Sequence, residues 1–114
     1  MTQPYTVFMD NDTAVCTRDW LARFQAVFRD RPAAGIVGPK LIYPYRPHPI
    51  QCAGVSISTL GRIAFRGRGA ARHDPRYATP WATWSLISAC WMMRTDLRDR
   101  VGYLDECFHP VQYE

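Results

Sequence analysis

One amphipathic segment decides what the rest of the chain must supply. Trp20, Phe24, Val27 and Phe28 recur at the spacing of a single helical face. Thr17 is the expected N-cap, Asp19 falls where the helix dipole favours an anion, and Pro32 is the expected stop. Burying the four apolar side chains is worth on the order of 6–12 kcal/mol as an upper bound. That gain is realised only if the helix packs on a sheet or on another helix. The flanking sequence offers strands. Tyr5 to Met9 (YTVFM) is a β-rich apolar run ending in Asp10-Asn11-Asp12, and Gly35 to Gly38 (GIVG) is a second. Leu41-Ile42-Tyr43, Gln51 to Ser58, Ile63 to Phe65 and the strongly apolar Trp84 to Met93 (WSLISACWMM) follow, and Thr95 is the expected cap of a short helix ended by Gly102. Strands interleaved with helices imply an α/β domain rather than an all-α bundle or a β-sandwich.

The chain of 114 residues is long enough for one domain with one core. Its 47% hydrophobic and 21% charged residues are those of a folded protein, and its longest apolar runs are too short to cross a bilayer. The first dozen residues lack the basic head and apolar stretch of a secretory signal. Cysteines at 16, 52, 90 and 107 form no CxxC pair, so reduced thiols in a cytosolic compartment are expected rather than a zinc site. Cys90 and Cys107 have no evident base partner for nucleophilic chemistry.

Charge is concentrated. Five arginines and one aspartate between Arg62 and Arg76 account for the whole formal charge of +4. Such a loop suits either a phosphate clamp or a solvated, mobile surface segment. Only Phe65 and Tyr77 flank the arginines, so nucleic acid is not an expected partner. Trp81, Trp84 and Trp91 suit sugar stacking or the core. His48, His73 and His109 sit beside Pro or Asp in loop-like sequence, as surface or hydrogen-bonding residues.

The sharpest chemical feature is the DND sequence at the end of the first strand. Asp10 and Asp12 share a side of extended chain, with Cα atoms about 6–7 Å apart. Carboxylates brought to about 4 Å repel by roughly 1–4 kcal/mol. A hard divalent cation removes that cost, and a bound diphosphate completes its oxygen shell. The same residues also suit a simple Asx-rich turn, and on local sequence both readings stand.

The wider pattern resembles the family 2 glycosyltransferases of GT-A fold, in their bacterial, rhamnosyltransferase-like branch. The resemblance rests on the Asp-x-Asp strand end (Asp10 to Asp12), Trp20-Leu21 at a helix start, Gly38-Pro39-Lys40, the small-residue turn Ile87-Ser88-Ala89 before an apolar strand, and Gly102 to Glu106 after an arginine. Their order is kept over nearly the whole chain. The resemblance implies a partial GT-A fold over residues 1–114, a mixed sheet with flanking helices, without the N-terminal nucleotide-binding half. It implies transfer of a sugar from a nucleotide-diphosphate donor to a glycan or lipid-linked acceptor, in cell-envelope polysaccharide synthesis at the cytoplasmic side, with peripheral membrane association open to the parent protein.

By the same resemblance, Asp10, Asp12, Ser88 and Ala89 are donor-binding, and Asp12 is the ligand of Mg²⁺ or Mn²⁺. Asp105, Glu106 and Glu114 are acceptor-side. The family's catalytic base is an Asp directly after a Glu that Glu114 matches, so no residue here is assigned that role and the chain alone is expected to be inactive. Ser88 stands where relatives carry glycine, which brings a Cβ closer to the sugar. The other expectation is a non-catalytic, truncated module that self-associates through an exposed sheet edge.

Overall fold

The computed structural model describes residues 3–105 and 107. In chain order the elements are β1 (Tyr5–Met9), α1 (Trp20–Asp30), β2 (Ile36–Val37), β3 (Leu41–Ile42), β4 (Ile50–Cys52), β5 (Val55–Ile57), β6 (Ile63–Phe65), a 3-10 turn (Pro75–Tyr77), β7 (Cys90–Arg94) and α2 (Thr95–Val101). The result is a small α/β domain of mixed strands and two helices. Among the described residues no helix is long and apolar enough to cross a membrane.

The main sheet has the order β1-β7-β2, with β7 antiparallel to both neighbours. Tyr5 pairs with Arg94 and Met9 with Cys90, while Ile36 and Val37 pair with Met93 and Met92. It follows that β1 and β2 run parallel, and their carboxyl ends emerge at the same end of the sheet. Alternation places Cys90 and Met92 on the face that α1 covers, where they join Phe24 and Phe28 in the principal core cluster with Tyr5, Trp20, Ala34 and Val37 around them. The Tyr5 and Phe28 rings stack with centroids 5.0 Å apart. On the opposite face Phe8 stacks on Trp91 at 4.2 Å, and the hydroxyls of Thr6 and Thr95 lie 3.0 Å apart. A side chain at Gly35 would meet Leu97 of α2 at 2.7 Å, so glycine there lets α2 close on the sheet.

Two antiparallel pairs complete the molecule, β3 with β4 and β5 with β6. The stretch Gln51 to Ser58, expected as one β-like run, is broken at Ala53-Gly54, where Gly54 takes φ 114° and sends β4 and β5 into different pairs. The apolar run expected from Trp84 is strand only from Cys90. Ser85 makes a single bridge to Val55, Leu86 packs over Gly38, and Trp84 is left 83% exposed.

Both expected caps shift. Helix α1 starts at Trp20 with Asp19 at its N-cap, and the Asp19 carboxylate accepts from Arg23 Nε at 2.9 Å instead of capping. Thr95 is the first residue of α2, its hydroxyl drawn across the sheet to Thr6, and Arg94 takes the cap position in extended conformation. The Arg62–Arg76 region is also more ordered than a free loop. Ile50, fully buried, donates to Ala70 O and accepts from Gly69 N, both at 2.8 Å. Arg66 lies over the Trp81 ring at 3.9 Å and the Tyr77 ring at 4.8 Å.

Phe28→Ala removes the ring at the centre of the α1 contact and is expected to lower unfolding free energy by about 3–5 kcal/mol. Leu21→Ala, on the exposed side of the same helix, is expected to cost less than about 1 kcal/mol. Urea unfolding followed by circular dichroism measures both.

Candidate functional site

The apolar part of β1 ends at Met9 because Met9 is the last residue paired with β7, opposite Cys90. The chain then turns. Thr13 N donates to Asp10 O at 3.1 Å, closing a four-residue turn over Asn11 and Asp12. Two further bonds attach this turn to the approach to β7: Asp10 N donates to Ala89 O at 2.9 Å, and Thr13 Oγ1 donates to the same oxygen at 3.0 Å. The Ala89 carbonyl therefore uses both lone pairs on the acidic turn. Thr13 is the part of this arrangement that sequence reasoning missed; a threonine three residues after the first aspartate of a turn was its only signal.

Across β7, Gly38 follows β2 and approaches the segment that leads to Ala89. A Cβ built on Gly38 would lie 3.1 Å from both Leu86 methyl groups and 3.5 Å from Cys90 O. Asp10 to Asp12, Gly38-Pro39 and Leu86 to Ala89 thus gather at the end of the sheet where β1 and β2 terminate. Asp10, Asn11, Asp12 and Ser88 are exposed, and Ala89 is half-buried. Among the described residues neither the Asp10 nor the Asp12 carboxylate has a hydrogen-bond or ion-pair partner. No group of three His, Cys, Asp or Glu side chains able to hold a metal occurs among those residues either.

Electrostatics link the turn to the core. Burial pushes the Cys90 thiol above its ordinary pKa, and the negative charge of Asp10 adds to the shift. All four cysteines are free thiols, Cys52 and Cys90 buried, Cys16 and Cys107 exposed.

The residues expected on the acceptor side divide. Asp105 accepts the Cys107 backbone N–H at 3.0 Å, a local turn that, with a thiol hydrogen bond, holds its carboxyl below the usual range. No hydrogen bond joins it to the Asp10–Ala89 end among the described residues. Glu106, Glu114 and His109 lie outside the described residues. The tryptophans also separate. Trp91 stacks on Phe8, Trp81 donates Nε1–H to Ala53 O at 3.0 Å beneath Arg66, and Trp84 stands exposed. His48 hydrogen-bonds through Nδ1 to Tyr43 O at 3.1 Å within its own loop.

No family model matches this sequence. No solved structure matches it. Among curated proteins the chain is similar to "Uncharacterized protein y4gI" of Sinorhizobium fredii (strain NBRC 101917 / NGR234), with 33% identity over 105 residues. The match takes in 86% of this chain and 11% of that protein, so the chain spans about a ninth of its relative's length.

Timed alkylation with iodoacetamide, read by mass spectrometry, tests the thiol environments. Cys16 is expected to react first. A hydrogen bond to Asp105 raises the pKa of Cys107, so less thiolate is present at a given pH and Cys107 labels more slowly. That gap closes as pH rises through its shifted pKa. Cys52 and Cys90, buried and with raised pKa, are expected to label only on unfolding.

Proposed function

We propose that this chain is the central and acceptor-side part of a metal-dependent, inverting family 2 glycosyltransferase of GT-A fold. In this reading the acidic turn and the Ser88-Ala89 turn hold the diphosphate end of a nucleotide-sugar donor. One observation carries the proposal: the Ala89 carbonyl accepts from both Asp10 N and Thr13 Oγ1, which fixes the Asp-x-Asp turn against the small-residue turn. Segments far apart in sequence that support the resemblance come together there. The place lies beyond the carboxyl ends of β1 and β2 and at the amino end of the antiparallel β7.

Two exposed carboxylates without internal partners suit a cation that brings oxygens with it. Mg²⁺ and Mn²⁺ take about six oxygen ligands, and Asp12 supplies part of that shell; Asp10 and Asp12, expected on one side of extended chain, lie instead in a turn closed by Thr13 N on Asp10 O. The pair fits an ion that arrives with a diphosphate better than a resident ion caged by protein alone. When bound, such a cation offsets charge on the leaving diphosphate. The chain's own contribution is positional: β1 and β7 hold the turn, and Ser88 presents backbone toward the sugar-phosphate. By resemblance alone, Asp105, Glu106 and Glu114 belong to the acceptor side, where a glycan or lipid-linked hydroxyl is received for cell-envelope polysaccharide synthesis. Inversion needs a carboxylate base opposite the leaving group, and no residue of this chain is assigned that role.

A second reading, a non-catalytic module that self-associates, draws on the edge position of β1. Its five residues, YTVFM, carry no charge, and Val7 and Met9 are partly exposed. Sedimentation over a concentration series separates the readings, since the module reading requires a defined dimer.

Calorimetry with UDP and dTDP, with and without Mn²⁺, tests the first reading. Mn²⁺ is expected to tighten binding of one nucleotide by about tenfold or more in the native chain and to have no effect in Asp12→Ala. Equal responses from both proteins would remove Asp12 from the role. The 114-residue polypeptide is expected to show no sugar transfer by itself, and transfer would mean that one of its own carboxylates serves as the base.

A further inference from the structure

The β5–β6 hairpin is not absorbed by the site above. Its root is held: the carbonyl of buried Val55 accepts from Thr83 Oγ1 at 2.7 Å, and Arg66 N donates to Gly54 O at 2.9 Å. Its end projects. Every residue from Ile57 to Ala64 is exposed, and a Cβ built on Gly61 would meet nothing within 4 Å. Ser58 O accepts from Gly61 N and Ser58 N donates to Arg62 O, both at 2.9 Å, while Gly61 takes φ 75°. The hairpin therefore closes in a tight turn followed by a left-handed glycine, with Leu60 at the corner.

An apolar stripe on this hairpin continues past the point where the body covers it. Val55 pairs with Phe65 at the root and Ile57 with Ile63 further out, on the same face of the ladder. Exposure rises along the stripe, to 47% at Ile57, 64% at Ile63 and 82% at Leu60. Turn corners ordinarily take Gly, Pro, Asn, Asp or Ser, so a leucine there beside two exposed isoleucines marks a contact surface. The charge around it has one sign. Residues 31–73 hold one lysine and six arginines and no Asp or Glu. Arg62, exposed between Leu60 and Ile63, has no hydrogen-bond or ion-pair partner for its guanidinium among the described residues. Arg68, also exposed, has no carboxylate partner among them. A second copy of the tip would set Arg62 against Arg62, and nucleic acid offers stacking faces suited to aromatic rather than aliphatic side chains. A projecting aliphatic tip flanked by free cations matches a surface that is anionic outside and hydrocarbon within.

We infer that the β5–β6 hairpin docks this chain on an anionic lipid bilayer. Ile57, Leu60 and Ile63 enter the boundary between headgroups and acyl chains, and Arg62 stays at the level of the lipid phosphates. Burial of apolar side chains and attraction to anionic headgroups together hold a peripheral protein, each being weak alone. The anchored root means that the tip is presented without ordering a loop. The inference does not rest on the glycosyltransferase reading, because it uses no residue of the acidic turn or of the Ser88-Ala89 turn.

Flotation of the full chain with lipid vesicles tests it. Vesicles of phosphatidylcholine with phosphatidylglycerol are expected to carry the chain, phosphatidylcholine alone to bind it about tenfold more weakly, and rising salt to release it. Leu60→Ser is expected to weaken partitioning by about tenfold or more and Arg62→Gln by about fivefold, both with unchanged circular dichroism spectra. Leu21→Ala, on the exposed side of α1, is expected to leave partitioning intact. Hydrogen exchange read by mass spectrometry is expected to slow between Ile57 and Ile63 when the anionic vesicles are added. Equal binding to neutral vesicles, undiminished binding of Leu60→Ser, protection confined to other segments, or no binding at all would each overturn the proposal. Equally tight binding to soluble polyglutamate would overturn it as well, since the surface would then suit an acidic protein.

Discussion

The structure depends on the antiparallel embedding of β7 between β1 and β2. Tertiary contacts of high sequence separation create this sheet, with Tyr5 opposite Arg94 and Ile36 opposite Met93. Two buried residues of β7, Cys90 and Met92, then receive Phe24 and Phe28 from α1. Neither half persists alone. The helix has an apolar stripe that needs cover, and β2 contributes only two residues of ladder.

Register is the quantity on which the acidic turn depends. Side chains alternate along a strand, so a slip of one residue between β1 and β7 would send Cys90 and Met92 to the wrong face. It would also carry the Ala89 carbonyl away from Asp10 and Thr13. Packing of α1 on one face and the Phe8–Trp91 stack on the other therefore select the geometry of the turn at the sheet's end. Stability and site are the same constraint seen at two places.

Much of this was legible where the signal is local. The bounds of β1, the helical stripe of α1 and the strand at Ile63 to Phe65 follow from periodicity and from the residues that end each run. The exposure of Asp10 and Asp12 follows from their place beyond an apolar strand. What was not legible is set by partners distant in sequence. Thr95 reads as a cap, yet its hydroxyl is claimed by Thr6. Trp84 to Ala89 reads as strand, yet Leu86 is needed over Gly38 and Ser85 at Val55. The arginine loop reads as free because its anchors are backbone groups of Ile50, which no side-chain pattern announces. Thr13 was hidden for a similar reason: its acceptor is a carbonyl 76 positions away.

In the proposed reading, the β1–β7 pairing assembles one cation-diphosphate site from the acidic turn and the Ser88-Ala89 turn. Paramagnetic broadening of backbone amides by substoichiometric Mn²⁺, in the presence of UDP or dTDP, reads that assembly directly. Strongest broadening centred together on Asn11 to Thr13 and on Ser88 to Cys90, and lost in Asp12→Ala, is the predicted result. Broadening confined to other acidic residues, or reaching the acidic turn without Ser88 to Cys90, would contradict it.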